Sequence, residues 1–127
     1  IGYGTDEFPA FYSRTSGFPV PMRCDGPGEV AALMHAKWSM GLKGAVIVAN
    51  PIPAEAEIPE AEIAPVIAAA IAEADRRGIG GKAVTPFLLA EIAQATEGRS
   101  LAANIALVIN NARLAGEVAR CHAGGPR

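Results

Sequence analysis

The chain has 127 residues and 50% of them are hydrophobic, which suffices for one domain with a core and not comfortably for two. Its 11 basic and 13 acidic residues are interspersed and leave a formal net charge of −2, so the chain lacks the positive field that nucleic-acid binding requires. Cys24 and Cys121 are far apart and lack CxxC spacing, which excludes a disulfide framework or a zinc pattern and favours a cytoplasmic protein. No apolar run approaches the roughly 20 residues that cross a bilayer, so no membrane partner is expected.

The first segment predicts a strand end, a long loop and then a helix. It opens in an apolar stretch, Ile1-Gly2-Tyr3-Gly4, without a methionine, which favours a fragment of a longer protein. Glycine and proline punctuate the following residues up to a short extended piece at 20–23. From residue 29 to residue 40 apolar side chains recur at helical spacing, and Gly41 is placed to end that helix.

The middle of the chain predicts one strand and one helix. Residues 45–49 are a β-branched run that is apolar on both faces, which predicts a central parallel strand ending at Asn50-Pro51-Ile52-Pro53. Residues 60–77 are an Ala- and Ile-rich helical stretch that Gly78 ends. Pro65 fits this helix only in its first turn, where no N–H is needed, or at a kink.

Two more helices are predicted near the end of the chain. Thr85 is expected to cap a helix that has Pro86 at its first position, and Ser100 is expected to cap the last helix, at about residues 101–121. A Gly-Gly-Pro sequence predicts a poorly ordered tail at 123–127. Alternating spacings of four and three predict that the last helix buries the face made by Leu101, Ile105, Val108, Ala112, Ala115 and Ala119.

These elements predict an α/β fold with an incomplete sheet. At least four helices accompany only two or three strands, whereas a parallel sheet covered on both faces needs more strands. We therefore expect residues 1–127 to be part of a single three-layer α/β/α domain with a mainly parallel sheet, whose missing strands precede Ile1.

Three asparagines in the last helix are candidates for a ligand site. Asn104 and Asn111 are seven residues apart, so they lie nearly in line on the apolar face, while Asn110 lies toward the polar side and is the weaker candidate. An unpaired buried amide costs roughly 1 to 3 kcal/mol, so both need partners. Those partners are either a neighbouring loop or helix, or a ligand.

Other polar residues give weaker signals. Ligands of open α/β sheets bind beyond the carboxyl ends of strands, which places the loops at 4–7 and 50–53 on the predicted active face. Asp6 and Glu7 could act there as acid, base or metal ligand, although adjacent carboxylates more often form turns or ion pairs. His35 and His122 lack further ligands at metal-binding spacing and are expected to pack or face solvent. Lysines 37, 43 and 82 lie in contexts typical of solvated lysine.

Several long strings resemble one family. The sequence contains GTDEFPAFYS at 4–13, GFPVP at 17–21, AKW at 36–38, GLKG at 41–44, VANPIP at 48–53, GKAVTPFLL at 81–89 and SLAANIALVINNARL at 100–114. In this order they resemble the C-terminal part of pseudouridine-5′-phosphate glycosidases. The resemblance implies that residues 1–127 are the C-terminal part of one α/β/α glycosidase domain without its N-terminal part.

The resemblance also implies a chemistry and an assembly. It implies a cytoplasmic homotrimer that uses a divalent cation such as manganese to cleave pseudouridine 5′-phosphate reversibly to uracil and ribose 5-phosphate. Family enzymes attack the anomeric carbon with a lysine and hold the opened sugar as a Schiff base. Formation of this iminium makes the carbon–carbon bond breakable, and this route is needed because a C-glycoside has no leaving atom that is easily protonated.

The catalytic lysine and the metal ligand are expected upstream of this chain, which matches neither motif. Asn104 resembles a substrate-contacting asparagine of the family, and Asn111 is the alternative contact. The leading hypothesis is therefore an enzyme fragment that is inactive alone. The alternatives are a non-catalytic α/β ligand-binding or interaction module, and an enzyme that uses Lys37, Lys43 or Lys82 as its own nucleophile.

Overall fold

The computed structural model describes residues 1–125, and its parallel sheet is built around the first strand. β1 (Gly2–Tyr3) lies parallel to β2 (Arg23–Cys24). On the other side of β1, the Tyr3 N–H donates a hydrogen bond of 2.8 Å to the Ala49 carbonyl, and the bridge there is also parallel. The order across the sheet is therefore β2, β1 and residues 46–50, which we call the edge segment.

The edge segment lies at the border of the described sheet, so the prediction of a central strand is wrong within residues 1–125. Ile47 and Ala49 direct their backbone hydrogen bonds toward β1. The backbone groups of Val46 and Val48 have no backbone partner among the described residues. A run that is apolar on both faces is typical of a strand with neighbours on both sides, and here it has one neighbour.

The four predicted helices are confirmed. α1 begins two residues earlier than expected because Pro27 suits the first helical position. Pro65 lies inside α2, past its first turn, so one carbonyl there lacks its usual N–H partner. The bounds are Pro27–Ser39 for α1, Glu60–Arg76 for α2, Val84–Ala95 for α3 and Arg99–Ala123 for α4, with short 3-10 turns at Ala54–Ala56 and Gly81–Ala83.

α4 extends into the predicted tail, and no helix of the described residues fits a membrane span. α4 includes Ala123, so the first residue of the predicted tail is helical, and Pro126 and Arg127 lie outside the described residues. Among the helices of residues 1–125, no stretch is both long and apolar enough to cross a membrane.

Both predicted N-caps are wrong. The turn before α3 already coils the chain, so α3 starts at Val84 and Thr85 lies inside its first turn. α4 starts one residue before Ser100, because Gly98 adopts a φ of 83° that reverses the chain there. The Thr96 hydroxyl oxygen accepts the Ser100 N–H at 3.1 Å, so the capping group comes from the preceding loop.

Two hydrophobic clusters hold the elements together. Side chains of α1 and α4 pack with Cys24 of β2 on one face of the sheet, while on the opposite face the side chain of Ile47 is 68% exposed. The cluster under the sheet consists of Cys24, Val30, Leu114 and Val118. The cluster that joins α2, α3 and the first half of α4 to the loops consists of Tyr12, Ile52, Ile58, Ile63, Ala70, Ile92, Ala103 and Leu107.

The face of α4 that was predicted to be buried is exposed. Leu101, Ile105 and Val108 are 54%, 53% and 58% exposed, and the three alanines that continue this row are exposed as well. α4 is apolar on two sides, and the buried one contains Ala103, Leu107, Leu114 and Val118. That side meets α1 and α3, whereas no other helix packs on the exposed side within residues 1–125.

Candidate functional site

A groove runs between the edge segment and the second half of α4. Its volume is about 580 Å³. Its walls are mainly apolar, and an asparagine pair lies at one end with His122 at the other. The residues that define it are Val46, Val48 and Asn50 on the edge segment and Asn111, Ala115 and Ala119 on α4.

The asparagines of α4 differ in what they contact. The Asn50 side-chain amide donates to the Asn111 oxygen at 2.9 Å, and the Asn110 amide donates to the Pro51 carbonyl at 3.2 Å. Asn111 therefore fastens α4 to the end of the edge segment, and Asn110 fastens it to the loop that follows. Asn104 is half-buried, and its amide makes no hydrogen bond to any residue between 1 and 125.

The expectation that Asn104 and Asn111 are both buried is wrong for the described chain. Asn111 is exposed, because the face of α4 on which it lies is uncovered. The two residues still share that face and lie about 10 Å apart along the helix axis. The side-chain amide of Asn104 is thus available to bond a ligand or another segment, while the Asn111 amide is bonded to Asn50.

The loop that follows the edge segment is bonded to the loop that follows β1, through residues 12 and 14. The guanidinium of Arg14 donates to the Ile52 carbonyl at 2.6 Å, and the backbone N–H of Arg14 donates to the Glu57 carboxylate at 2.8 Å. The Ile58 N–H donates to the Tyr12 carbonyl at 2.9 Å. Sequence reasoning missed Arg14 because its partners are about 40 residues away and no local pattern marks the pairing.

Asp6 and Glu7 build the first loop. The Glu7 carboxylate accepts the N–H groups of Ser16 and Gly17 at 3.1 and 2.8 Å, which closes the loop. Asp6 is exposed and pairs with Arg23 at 2.7 Å. Within residues 1–125, no group of three His, Cys, Asp or Glu side chains comes close enough together to hold a metal.

The two histidines and Lys37 make packing and turn contacts, and the other two lysines are exposed. His35 and His122 stack with their ring centroids 4.1 Å apart, which packs α1 against the end of α4. The Lys37 ammonium donates to the carbonyls of residues 42, 43 and 44 at 3.1, 2.8 and 2.7 Å and so holds the turn after α1. Lys43 and Lys82 are exposed.

Burial raises the pKa of one thiol and two phenols of the chain. It raises the pKa of the Cys24 thiol above its ordinary value, with a smaller contribution from the nearby charge of Glu29. Burial also raises the pKa of Tyr3, with Glu117 as the next cause, and it raises the pKa of Tyr12. These groups are held neutral, which suits packing rather than proton transfer near pH 7.

Curated relatives match almost the whole chain. A pseudouridine-5′-phosphate glycosidase from Solibacter usitatus is 56% identical over 119 residues, which are 94% of this chain and 40% of that protein. A pseudouridine-5′-phosphate glycosidase from a Nocardioides species is 55% identical over 124 residues, which are 98% of this chain and 40% of that protein. The chain therefore spans about 40% of the length of the curated relatives it matches.

Solved structures share the fold. The prealnumycin C-glycosynthase AlnA, solved in complex with ribulose 5-phosphate, matches with a TM-score of 0.83 and 34% identity over 97% of this chain and 40% of that one. An indigoidine synthase A-like protein from Thermotoga maritima matches with a TM-score of 0.81 and 42% identity over 93% of this chain and 38% of that one. The predicted α/β class is confirmed, with part of the α/β/α fold present.

The family model described as Indigoidine synthase A like protein matches residues 1–121. Together with the relatives, this match confirms the resemblance to pseudouridine-5′-phosphate glycosidases. The chain belongs to the indigoidine synthase A like protein family.

Proposed function

We propose that this chain forms part of a pseudouridine-5′-phosphate glycosidase, which cleaves the carbon–carbon glycosidic bond of its substrate to give uracil and ribose 5-phosphate. The proposal is supported by the 55–56% identity to proteins of that name over nearly the whole chain. The solved relative that was crystallised with ribulose 5-phosphate makes a pentose phosphate a fitting ligand class.

The chain contributes binding and shape rather than the nucleophile. A lysine supplied by the rest of the family fold attacks the anomeric carbon and opens the sugar ring. Its nitrogen lone pair then forms the iminium as the carbon–carbon bond breaks, and the electrons of that bond leave with the uracil ring, which takes up a proton. The lysines of this chain do not fit that role, because Lys37 donates to three carbonyls and Lys43 and Lys82 are exposed. A nucleophilic lysine needs a dry pocket.

Asn104 is the substrate-contacting residue in this proposal. The observation that carries the assignment is the difference between the two aligned amides: Asn111 is bonded to Asn50, whereas Asn104 has no partner within residues 1–125. Asn111 then acts as a positioning residue that holds the loop at 50–53 against α4. An amide that both donates and accepts suits a uracil edge or a sugar hydroxyl.

Manganese, the homotrimer and a cytoplasmic location are part of the same proposal. The acidic and histidine side chains of residues 1–125 do not fit a metal centre. Any cation of the active enzyme would therefore take its ligands from the rest of the family fold. The exposed row on α4 and the exposed side chain of Ile47 leave apolar surface for contacts with other subunits or segments.

Borohydride trapping tests which of the two polypeptides supplies the nucleophilic lysine. The chain is co-expressed with the remainder of the Solibacter usitatus relative, which we call the complement, and the mixture is incubated with ribose 5-phosphate and borohydride. Reduction of a Schiff base fixes the sugar on its lysine, and peptide mass spectrometry locates it. We expect the adduct on the complement. An adduct on Lys37, Lys43 or Lys82 would overturn the assignment.

A matched pair of variants tests Asn104. In the mixture of chain and complement, Asn104→Ala is expected to lower kcat/KM by about 10- to 100-fold, because a hydrogen bond to the substrate is lost. Gln94→Ala removes an exposed amide on α3 and is expected to leave kcat/KM unchanged. Equal kcat/KM values for the two variants would remove Asn104 from the site.

A further inference from the structure

One edge of the sheet carries backbone groups without partners. Ile47 and Ala49 use their backbone groups to bond residues 1 and 3, at 2.8 to 2.9 Å. Alternation along a strand turns the N–H and carbonyl groups of Val46 and Val48 to the other side, where no residue between 1 and 125 bonds them. An unpaired edge of this kind is a template for another strand.

The residues of this edge do not protect it. Natural edge strands are usually blocked by a charged residue, a proline or a bulge, and residues 45–49 contain only alanine, valine and isoleucine. Ile47 is 68% exposed on the face of the sheet that α1 and α4 leave open. A fully apolar strand with one bare edge and one bare face is typical of a strand inside a larger sheet.

The surface beside the edge is apolar as well. The groove of about 580 Å³ borders the edge segment on one side and Ala115 and Ala119 of α4 on the other. The exposed row that begins at Leu101 continues from that groove along α4. The groove and the exposed row share Ala115 and Ala119, so they form one apolar surface. Single exposed apolar residues scattered over a protein do not form such a surface.

The length of the relatives indicates what covers this surface. The chain spans 40% of each of the two curated relatives and 40% and 38% of the two solved structures, so most of the family fold lies elsewhere. We propose that the edge segment receives a further β-strand from that remaining part of the family fold. Other residues of that remaining part then pack into the groove between the edge segment and α4.

A pair of substitutions at Val48 separates strand pairing from side-chain packing. Val48→Pro removes the N–H that a neighbouring strand would bond, whereas Val48→Ala keeps the N–H and shortens the side chain. Tagged chain and complement are co-expressed, and the ratio of the two polypeptides is measured after purification on the tag. We expect a 1:1 complex for the native chain and for Val48→Ala, and at least about tenfold less complement with Val48→Pro.

Two further measurements make each outcome decisive. Circular dichroism of each purified chain checks that Val48→Pro is folded, as expected because the Val48 N–H bonds no residue between 1 and 125. Amide exchange of native chain should show the Val48 amide exchanging fast alone and slowly in the complex. Equal recovery of the complement with Val48→Pro, an unprotected Val48 amide in the complex, or edge pairing between two copies of this chain would each overturn the inference.

The inference rests on family membership and not on the proposed reaction. A complex that forms with a protected Val48 amide but releases no uracil would leave the inference standing and overturn the proposed function. If the mixture with Val48→Pro released uracil as fast as the native mixture, the inference would be overturned and the proposed function would stand.

Discussion

Two asparagines of α4 fit the same sequence pattern and yet differ in their contacts. Asn104 and Asn111 share a face, yet Asn111 is bonded to Asn50 and Asn104 has no partner within residues 1–125. Helical spacing predicted the shared face, because it depends only on the geometry of the helix. It could not predict the bond to Asn50, because that contact joins residues 61 positions apart.

The stability of two alanine variants measures this difference. Both Asn104→Ala and Asn111→Ala gain the same helix propensity, about 0.5 kcal/mol, so their difference isolates the bond to Asn50. We expect Asn111→Ala to be less stable than Asn104→Ala by about 0.5 to 1 kcal/mol in urea unfolding of the chain, since one exposed hydrogen bond is lost. Equal midpoints would show that the bond does not hold the loop.

Burial of Tyr12 is expected to make the chain less stable as the pH rises into the alkaline range. Burial raises the pKa of Tyr12, so the folded state keeps its proton at a pH where the unfolded state has lost it. Its contribution is complete below the ordinary value of about 10 and is lost as pH rises through the higher folded pKa. Tyr12→Phe should therefore lose less unfolding free energy than the native chain between pH 8 and 11.

An exposed tyrosine provides the control for this experiment. Phe11 is 48% exposed, so Phe11→Tyr adds a phenol that water can solvate and should not change the pH dependence. Urea midpoints measured at several pH values compare the three proteins. If Tyr12→Phe and the native chain weakened in parallel, burial of Tyr12 would not be the cause.

At the scale of elements, local sequence signals predicted where the helices lie and failed at their ends and faces. α1 and α4 follow from runs of helical spacing, α2 from an Ala- and Ile-rich stretch that Gly78 ends, and α3 from the Thr85-Pro86 pair. Their starts depend on local backbone geometry, such as the φ of 83° at Gly98 and the Thr96 hydroxyl, whereas the caps were predicted from the preferences of Thr85 and Ser100 alone. The buried face of α4 was missed because both of its sides are apolar, and only tertiary partners select one of them.

Two glycines of the α4 region should respond in opposite ways to the same substitution. Gly98→Ala forces an alanine into a φ of 83° and should destabilise the chain by roughly 1 to 2 kcal/mol. Gly116→Ala lies within the helix, and its added methyl group would meet no atom within 4 Å, so it should stabilise by roughly 0.5 to 1 kcal/mol. Thermal unfolding compares the two, and a stabilised Gly98→Ala would contradict the role of Gly98 at the start of α4.

At the scale of the whole molecule, the fold class and the family could be predicted while the position of the strand at 45–49 could not. The family followed from several long strings in one order, which are far more specific than any single motif. The strand was placed at the centre of a sheet because both of its faces are apolar, and within residues 1–125 it lies at the border. The proposed docking of a further strand would reconcile that composition with its position.

The measurement that tests the account most directly is uracil release from pseudouridine 5′-phosphate in the presence of manganese. It compares this chain alone, the complement alone and the two co-expressed, with heat-inactivated mixtures as controls. Because the proposal assigns Asn104 and a pocket wall to this chain and the nucleophile to the complement, we expect release only from the co-expressed pair. Release by the chain alone, or none from a purified 1:1 complex, would contradict the account.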